Sequence, residues 1–167
     1  MERNNTEPRH TLYELLETDE YERLVKFFVV NELEFDGDEE VDTDIVRCYK
    51  IENGSIFDDE DRLRDPQQGL IGGAVLAKRE GRHICDGIAV NPFYRGEGIG
   101  ELLIKRLIED VKEFDGDGLY LVARAPEFFR KQGFDSINPD DAPNFFECKY
   151  CPQYQKNCHP EIMKYNI

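Results

Sequence analysis

The segment from Ile88 to Gly100 constrains this chain more than any other. It reads Ile-Ala-Val-Asn-Pro-Phe-Tyr-Arg-Gly-Glu-Gly-Ile-Gly. An apolar strand ends at Asn91-Pro92, a turn follows, and a glycine-rich stretch opens a helix. The helix shows in Leu103, Ile104, Leu107, Ile108 and Val111, which recur at helical spacing to about Phe114. Gly96, Gly98 and Gly100 leave backbone N–H groups uncovered. Together with the free N–H groups of a first helical turn they form a concave anion site. Arg95 adds a charge able to reach a phosphate oxygen. The segment is not a Walker A loop, because no Gly-Lys-Ser/Thr closes it, and its glycine spacing is not that of a dinucleotide fingerprint. A purely structural glycine turn is the plainer alternative. The strand, the arginine and the helix together weigh against it.

Charge sharpens this reading. The 167 residues carry a formal charge of −15. Such a balance argues against nucleic acid as a partner and against an anionic membrane face. In so acidic a chain a preformed positive pocket is needed to hold a diphosphate. At 40% hydrophobic and 11% aromatic residues the chain is too apolar for disorder. The length fits one compact domain, residues 1–167, with a cysteine-rich C-terminal extension at about 148–167. The polar stretch Met1–His10 has no apolar core behind it and does not resemble a secretory signal. Five cysteines, an odd count, read as reduced thiols, so a cytoplasmic location is expected.

The remaining pattern alternates helix and strand. Thr11 to Leu16 predicts a short strand or turn. Thr18 and Asp19 predict a cap for a helix from Tyr21 to about Asn31. Residues 32 to 44 hold Glu32, Glu34, Asp36, Asp38, Glu39, Glu40, Asp42 and Asp44 without Lys or Arg. A solvated face is the ordinary meaning of such a run, and a rim attracting a cationic amine is the functional one. Ile45–Ile51, Leu70–Lys78 and His83–Val90 predict strands, the last two joined by a tight Glu80-Gly81-Arg82 turn. Asp58 to Asp61 reads as an acidic turn. Leu119–Ala123 is wholly apolar and predicts a strand buried on both faces. Pro126 to Gln132 predicts a short helix stopped by Gly133. Phe134 onward and Asn144–Tyr150 predict two final strands. The fold class is α/β (α+β), a layered mixed sheet flanked by helices.

These residues resemble the GNAT N-acetyltransferase superfamily. Arg95-Gly96-Glu97-Gly98-Ile99-Gly100 matches its Arg/Gln-x-x-Gly-x-Gly/Ala signature, and Ile88 to Tyr94 is similar to its lead-in. Phe128-Phe129-Arg130-Lys131-Gln132-Gly133-Phe134 resembles its second landmark, and is closest there to amino-acid N-acetyltransferase-like members. The resemblance covers roughly residues 11 to 150. It implies a mostly antiparallel central sheet and acetyl-CoA as donor. It implies that the strand before the loop splays from its neighbour, often at a β-bulge. Pantetheine would pair with Ile88, Ala89 and Val90, and the pyrophosphate would sit on the amides of Gly96 to Gly100. A strand amide near Ile88 would receive the thioester oxygen.

Acetyl transfer to an amine needs a base for the amine and a donor for the oxyanion, and gains from a proton for the departing thiolate. Asp86 is the candidate base. Strand alternation places it on one face with Ile84, Ile88 and Val90, with His83 and Cys85 opposite. A solvent-facing or capping carboxylate is the structural alternative. At the position where many family members carry an acidic tyrosine stands Phe129, which has no proton to give. It is expected to pack beside the CoA arm. Cys148, Cys151, Cys158 and His159 resemble zinc-ligand spacing, and ordinary reduced thiols are the plainer reading of them. The reading is therefore an N-acetyltransferase acting on a small-molecule amine, an amino acid or derivative, with a homodimer expected by analogy. The runner-up is an acyl-CoA-binding sensor without turnover. A protein N-acetyltransferase has no peptide-specific signal in this chain.

Overall fold

The computed structural model describes residues 13–31, 43–54, 59–143 and 161–167. A seven-stranded sheet runs through them in the order β1-β2-β3-β4-β5-β7-β6. The strands are β1 (Leu16–Thr18), β2 (Asp44–Glu52), β3 (Leu70–Arg79), β4 (Arg82–Val90), β5 (Gly118–Ala123), β6 (Asp135–Ser136) and β7 (Glu161–Asn166). The helices are α1 (Tyr21–Val30), α2 (Asp59–Arg64), α3 (Ile99–Glu113) and α4 (Pro126–Lys131). All neighbours pair antiparallel except β4 and β5. A parallel pair cannot be joined by a tight turn, and α3 supplies the crossover.

Two apolar faces clamp the sheet. On one, Leu103, Ile104, Leu107 and Val111 of α3 pack with Ala74, Leu76, Leu119, Leu121, Phe129 and Met163. On the other, Leu24, Phe27 and Phe28 of α1 pack with Cys48, Val75 and Ala89. Glycine in β3 permits the close α3 approach: a Cβ on Gly72 would sit 2.9 Å from Ile99 and 3.2 Å from Leu103. The β3–β4 turn places Glu80 and Gly81 at φ 52° and 75°. Two consecutive positive φ values match the right-handed twist of a hairpin.

Several expectations are corrected. The cap of α1 is Glu20 rather than Thr18 or Asp19, and the Thr18 hydroxyl accepts from the Glu20 N–H at 3.1 Å. The acidic turn at Asp58–Asp61 is helical from Asp59 onward. The end of the chain is no appendage to the sheet. Glu161–Asn166 forms β7, inserted between β5 and β6, with Leu121 facing Met163. Asn144–Tyr150 lies outside the described residues, as does most of the acidic run. Among the described residues no helix is long and apolar enough to cross a membrane.

Candidate active site

The site forms where β4 leaves β5. The ladder between these parallel strands is the single pair Ile84–Tyr120 among the described residues. Beyond it β5 pairs with β7 on its other side, and β4 with β3. The strand edge of β4 facing β5 is thus open toward its C-terminal end, where backbone groups require a partner.

A bulge lies at the same place. Val75 faces Gly87 and Leu76 faces Cys85, so Asp86 is the extra residue. The bulge reverses alternation, which corrects the expected common face. Ile88 and Val90 pack on the α3 side, whereas Asp86 meets Tyr21 of α1. The Tyr21 hydroxyl donates to Asp86 Oδ2 at 3.4 Å, and an Arg79 guanidinium nitrogen lies 3.6 Å from Oδ1. Arg79 is itself fixed, its Nε donating to the Thr43 hydroxyl at 2.6 Å. The Asp86 side chain is 9% exposed. Burial pushes its carboxyl above the usual range, against the opposing pull of Arg79 and the Tyr21 hydroxyl. Burial and the Asp86 charge push Tyr21 up to about 12. Burial likewise raises Cys48, to about 11, and Cys85 beyond the usual thiol range. Both thiols are buried and protonated near neutrality, which makes them poor nucleophiles. His83 is buried and stacked on Phe114 at 6.0 Å, and burial lowers its pKa.

The loop after β4 is built by its own side chains. Asn91 is buried, donates to the Leu70 carbonyl at 3.2 Å and accepts from the Phe93 N–H at 3.1 Å. It starts a 3₁₀ turn over Pro92–Tyr94. The Tyr94 hydroxyl accepts from Asn53 Nδ2 at 3.1 Å. Gly96 and Gly98 both sit at φ 83°. Gly98 is the left-handed cap of α3, and having no side chain it makes no cap hydrogen bond to the first helical N–H groups. The left-handed cap is strained for any residue with a Cβ, and the absent side-chain cap leaves the amides for an external anion. Ile99 is 1% exposed, so its side chain anchors the helix while its amide faces the turn. Arg95 is exposed and forms no ion pair among the described residues.

The two adjacent phenylalanines of α4 are placed differently. Phe129 is 7% exposed and locked between Phe128 and Phe134, with centroids 5.0 and 5.7 Å away. The ring that reaches the loop is Phe128: a Cβ on Gly100 would lie 3.1 Å from it. The adjacent Phe-Phe pair signalled an aromatic at this place without saying which ring turns inward. Tyr13, Tyr21 and Arg79 were not legible as site residues, because the fold brings them from distant segments. Cys148, Cys151, Cys158 and His159 lie outside the described residues. Among the described residues no three metal-ligating side chains cluster.

An opened strand edge followed by a glycine-capped helix N-terminus suits a long ligand with an anionic middle. That geometry defines an acyl-CoA-binding fold, and the comparisons with known proteins agree. The model of the acetyltransferase (GNAT) family matches residues 9–134. The chain belongs to that family. The fold is similar to a GNAT acetyltransferase from Staphylococcus aureus, at 18% identity and TM-score 0.63, covering 92% of this chain and 98% of that one. It is also similar to the ribosomal-protein-S18-alanine N-acetyltransferase of Escherichia coli, at 15% identity and TM-score 0.56, covering 93% and 94%. N-acetylglutamate synthase from Neisseria gonorrhoeae, complexed with coenzyme A and N-acetyl-glutamate, matches at 19% identity and TM-score 0.51 over 71% of this chain. The chain spans only a quarter (25%) of that enzyme.

The residues present fit CoA. Gly96 to Gly100 and Arg95 would hold its diphosphate, and the open edge of β4 at Ile88 to Val90 would pair with its pantetheine arm.

Proposed function

We propose that this chain moves an acetyl group from acetyl-CoA to the primary amine of a small molecule, an amino acid or derivative, by direct attack. The observation that carries the reading is the juxtaposition at one strand of an uncapped helix N-terminus, an open backbone edge and a bulged, buried carboxylate. The bound thioester supplies an activated acyl carbon. An amide of β4 near Ile88 would donate to the developing oxyanion. Asp86 accepts a proton from the incoming ammonium, directly or through a water. Its raised pKa brings it nearer neutrality and improves it as a base. Arg79 and Tyr21 limit that rise and fix the carboxylate's direction. The Phe-Phe segment supports an amino-acid-like acceptor by resemblance.

The test is release of CoA thiol from acetyl-CoA across a panel of amines, followed with a thiol reagent. Turnover is expected with at least one amino acid or derivative, and Asp86→Asn is expected to lower kcat by about 10²-fold or more. One observation favours a second reading, an acyl-CoA sensor: the aromatic at the family's acid position, Phe129, is locked in the core and has no proton to give. Acetyl-CoA raising the melting temperature with no amine releasing thiol would decide for the sensor.

A further inference from the structure

Glu97 is the sole acid in the loop from Asn91 to Gly100. A carboxylate there opposes a diphosphate in two ways. It adds like charge beside the amides, and it is a competitor for Arg95 two residues away. Yet its side chain is held. The hydroxyl of Tyr13, distant in sequence, donates to Glu97 Oε2 at 2.6 Å. Tyr13 is positioned in turn, its ring meeting Tyr94 edge-on at 6.2 Å and 87°. The Tyr94 hydroxyl accepts from Asn53, whose backbone N–H donates to the Gly69 carbonyl at 2.8 Å. A chain of contacts thus ties the start of the described chain to the one loop residue whose charge is wrong for the ligand. Arg95, two positions earlier, forms no ion pair among the described residues.

We propose that Tyr13 is a positioning residue for CoA: by holding the Glu97 carboxylate on its hydroxyl, it keeps that charge off the amides of Gly96 to Gly100 and leaves Arg95 available to the diphosphate. The inference rests on the reading that this loop holds the diphosphate. Releasing Glu97 lets the carboxylate turn toward Arg95 or the amides. The effect is electrostatic at a half-exposed site, so it is modest and weakens with salt.

The test is calorimetric titration of the full chain with CoA, for the wild type, Tyr13→Phe, Glu97→Gln and the double variant. Tyr13→Phe keeps the ring on Tyr94 and removes only the donor. It is expected to weaken CoA about fivefold at low salt, with a smaller loss at high salt. Glu97→Gln is expected to bind about twofold more tightly than wild type, and in that background Tyr13→Phe is expected to change nothing. In the transfer assay Tyr13→Phe raises KM for acetyl-CoA and leaves kcat. An equal loss from Tyr13→Phe in both backgrounds, or no loss in either, overturns the inference while leaving the loop reading intact. Should Tyr13→Phe not fold, Glu97→Gln decides alone: unchanged or weaker CoA binding overturns it. No heat from the wild type with CoA removes the loop reading itself, and this inference with it.

Discussion

Two polar regions flank α3 and are organised in opposite ways. Along its outer turns, Asp110 is fully buried and satisfied from within the protein. The Arg47 guanidinium donates to its Oδ1 at 2.9 Å, the Tyr49 hydroxyl donates to Oδ2, and Arg106 Nε donates to the Tyr49 oxygen at 3.2 Å. At the N-terminus of the same helix, the Gly98 cap makes no side-chain hydrogen bond and Arg95 has no acid partner among the described residues. One region closes its hydrogen bonds internally and holds β2 to α3. The other has donors without a side-chain partner among the described residues. Buried polar groups that lose a partner cost stability, whereas exposed donors cost nothing until a ligand takes them. The difference separates the residues that hold the fold from those that hold the ligand.

The contrast can be broken by substitution. Asp110→Ala leaves the buried Tyr49 hydroxyl without its acceptor and Arg47 with only the exposed Glu17 and Glu113, and about 3 kcal/mol of stability is expected to be lost in urea unfolding. CoA affinity of the fraction still folded should hold. Gly98→Val forces a branched side chain into a left-handed cap. It is expected to cost about 1–3 kcal/mol of stability and to weaken CoA by more than about tenfold, because the amides it carries turn away. Arg95→Ala should weaken CoA about tenfold with no change in melting temperature, since the side chain is exposed and unpaired among the described residues.

The smallest effect concerns a second internal cluster. Burial works to raise Glu52, but hydrogen bonds and charge from Lys50 and Arg23 overcome it and hold the carboxyl at about 2. A carboxylate depressed in the folded state contributes stability above its unfolded pKa. That contribution is lost as pH falls from about 4.3 toward the folded value. Glu52→Gln should therefore flatten the acid limb of the stability profile in that window and leave CoA titrations at pH 7 unmoved.

What the sequence disclosed follows the same division. The loop and α3 were legible because glycine, arginine and helical periodicity act locally. The Glu80-Gly81 turn was legible because positive φ has few suitable residues. The Asp86 bulge was not, since Ile84 to Val90 is apolar enough on both sides to disguise a change of face. β7 was missed because Glu161–Asn166 returns to the sheet only after a long segment and carries Glu and Lys among its apolar residues. Tyr13 and Tyr21 gain meaning only from the residues they touch, Glu97 and Asp86, which lie far along the chain.

The central claim is that the backbone donors around Gly98 grip a diphosphate. Its most direct measurement is a calorimetric comparison of CoA with pantetheine, which has the arm but no diphosphate. CoA should bind at least about 100-fold more tightly than pantetheine, and Gly98→Val should erase most of that gap. Equal affinity for the two ligands, or a gap that survives Gly98→Val unchanged, would contradict it.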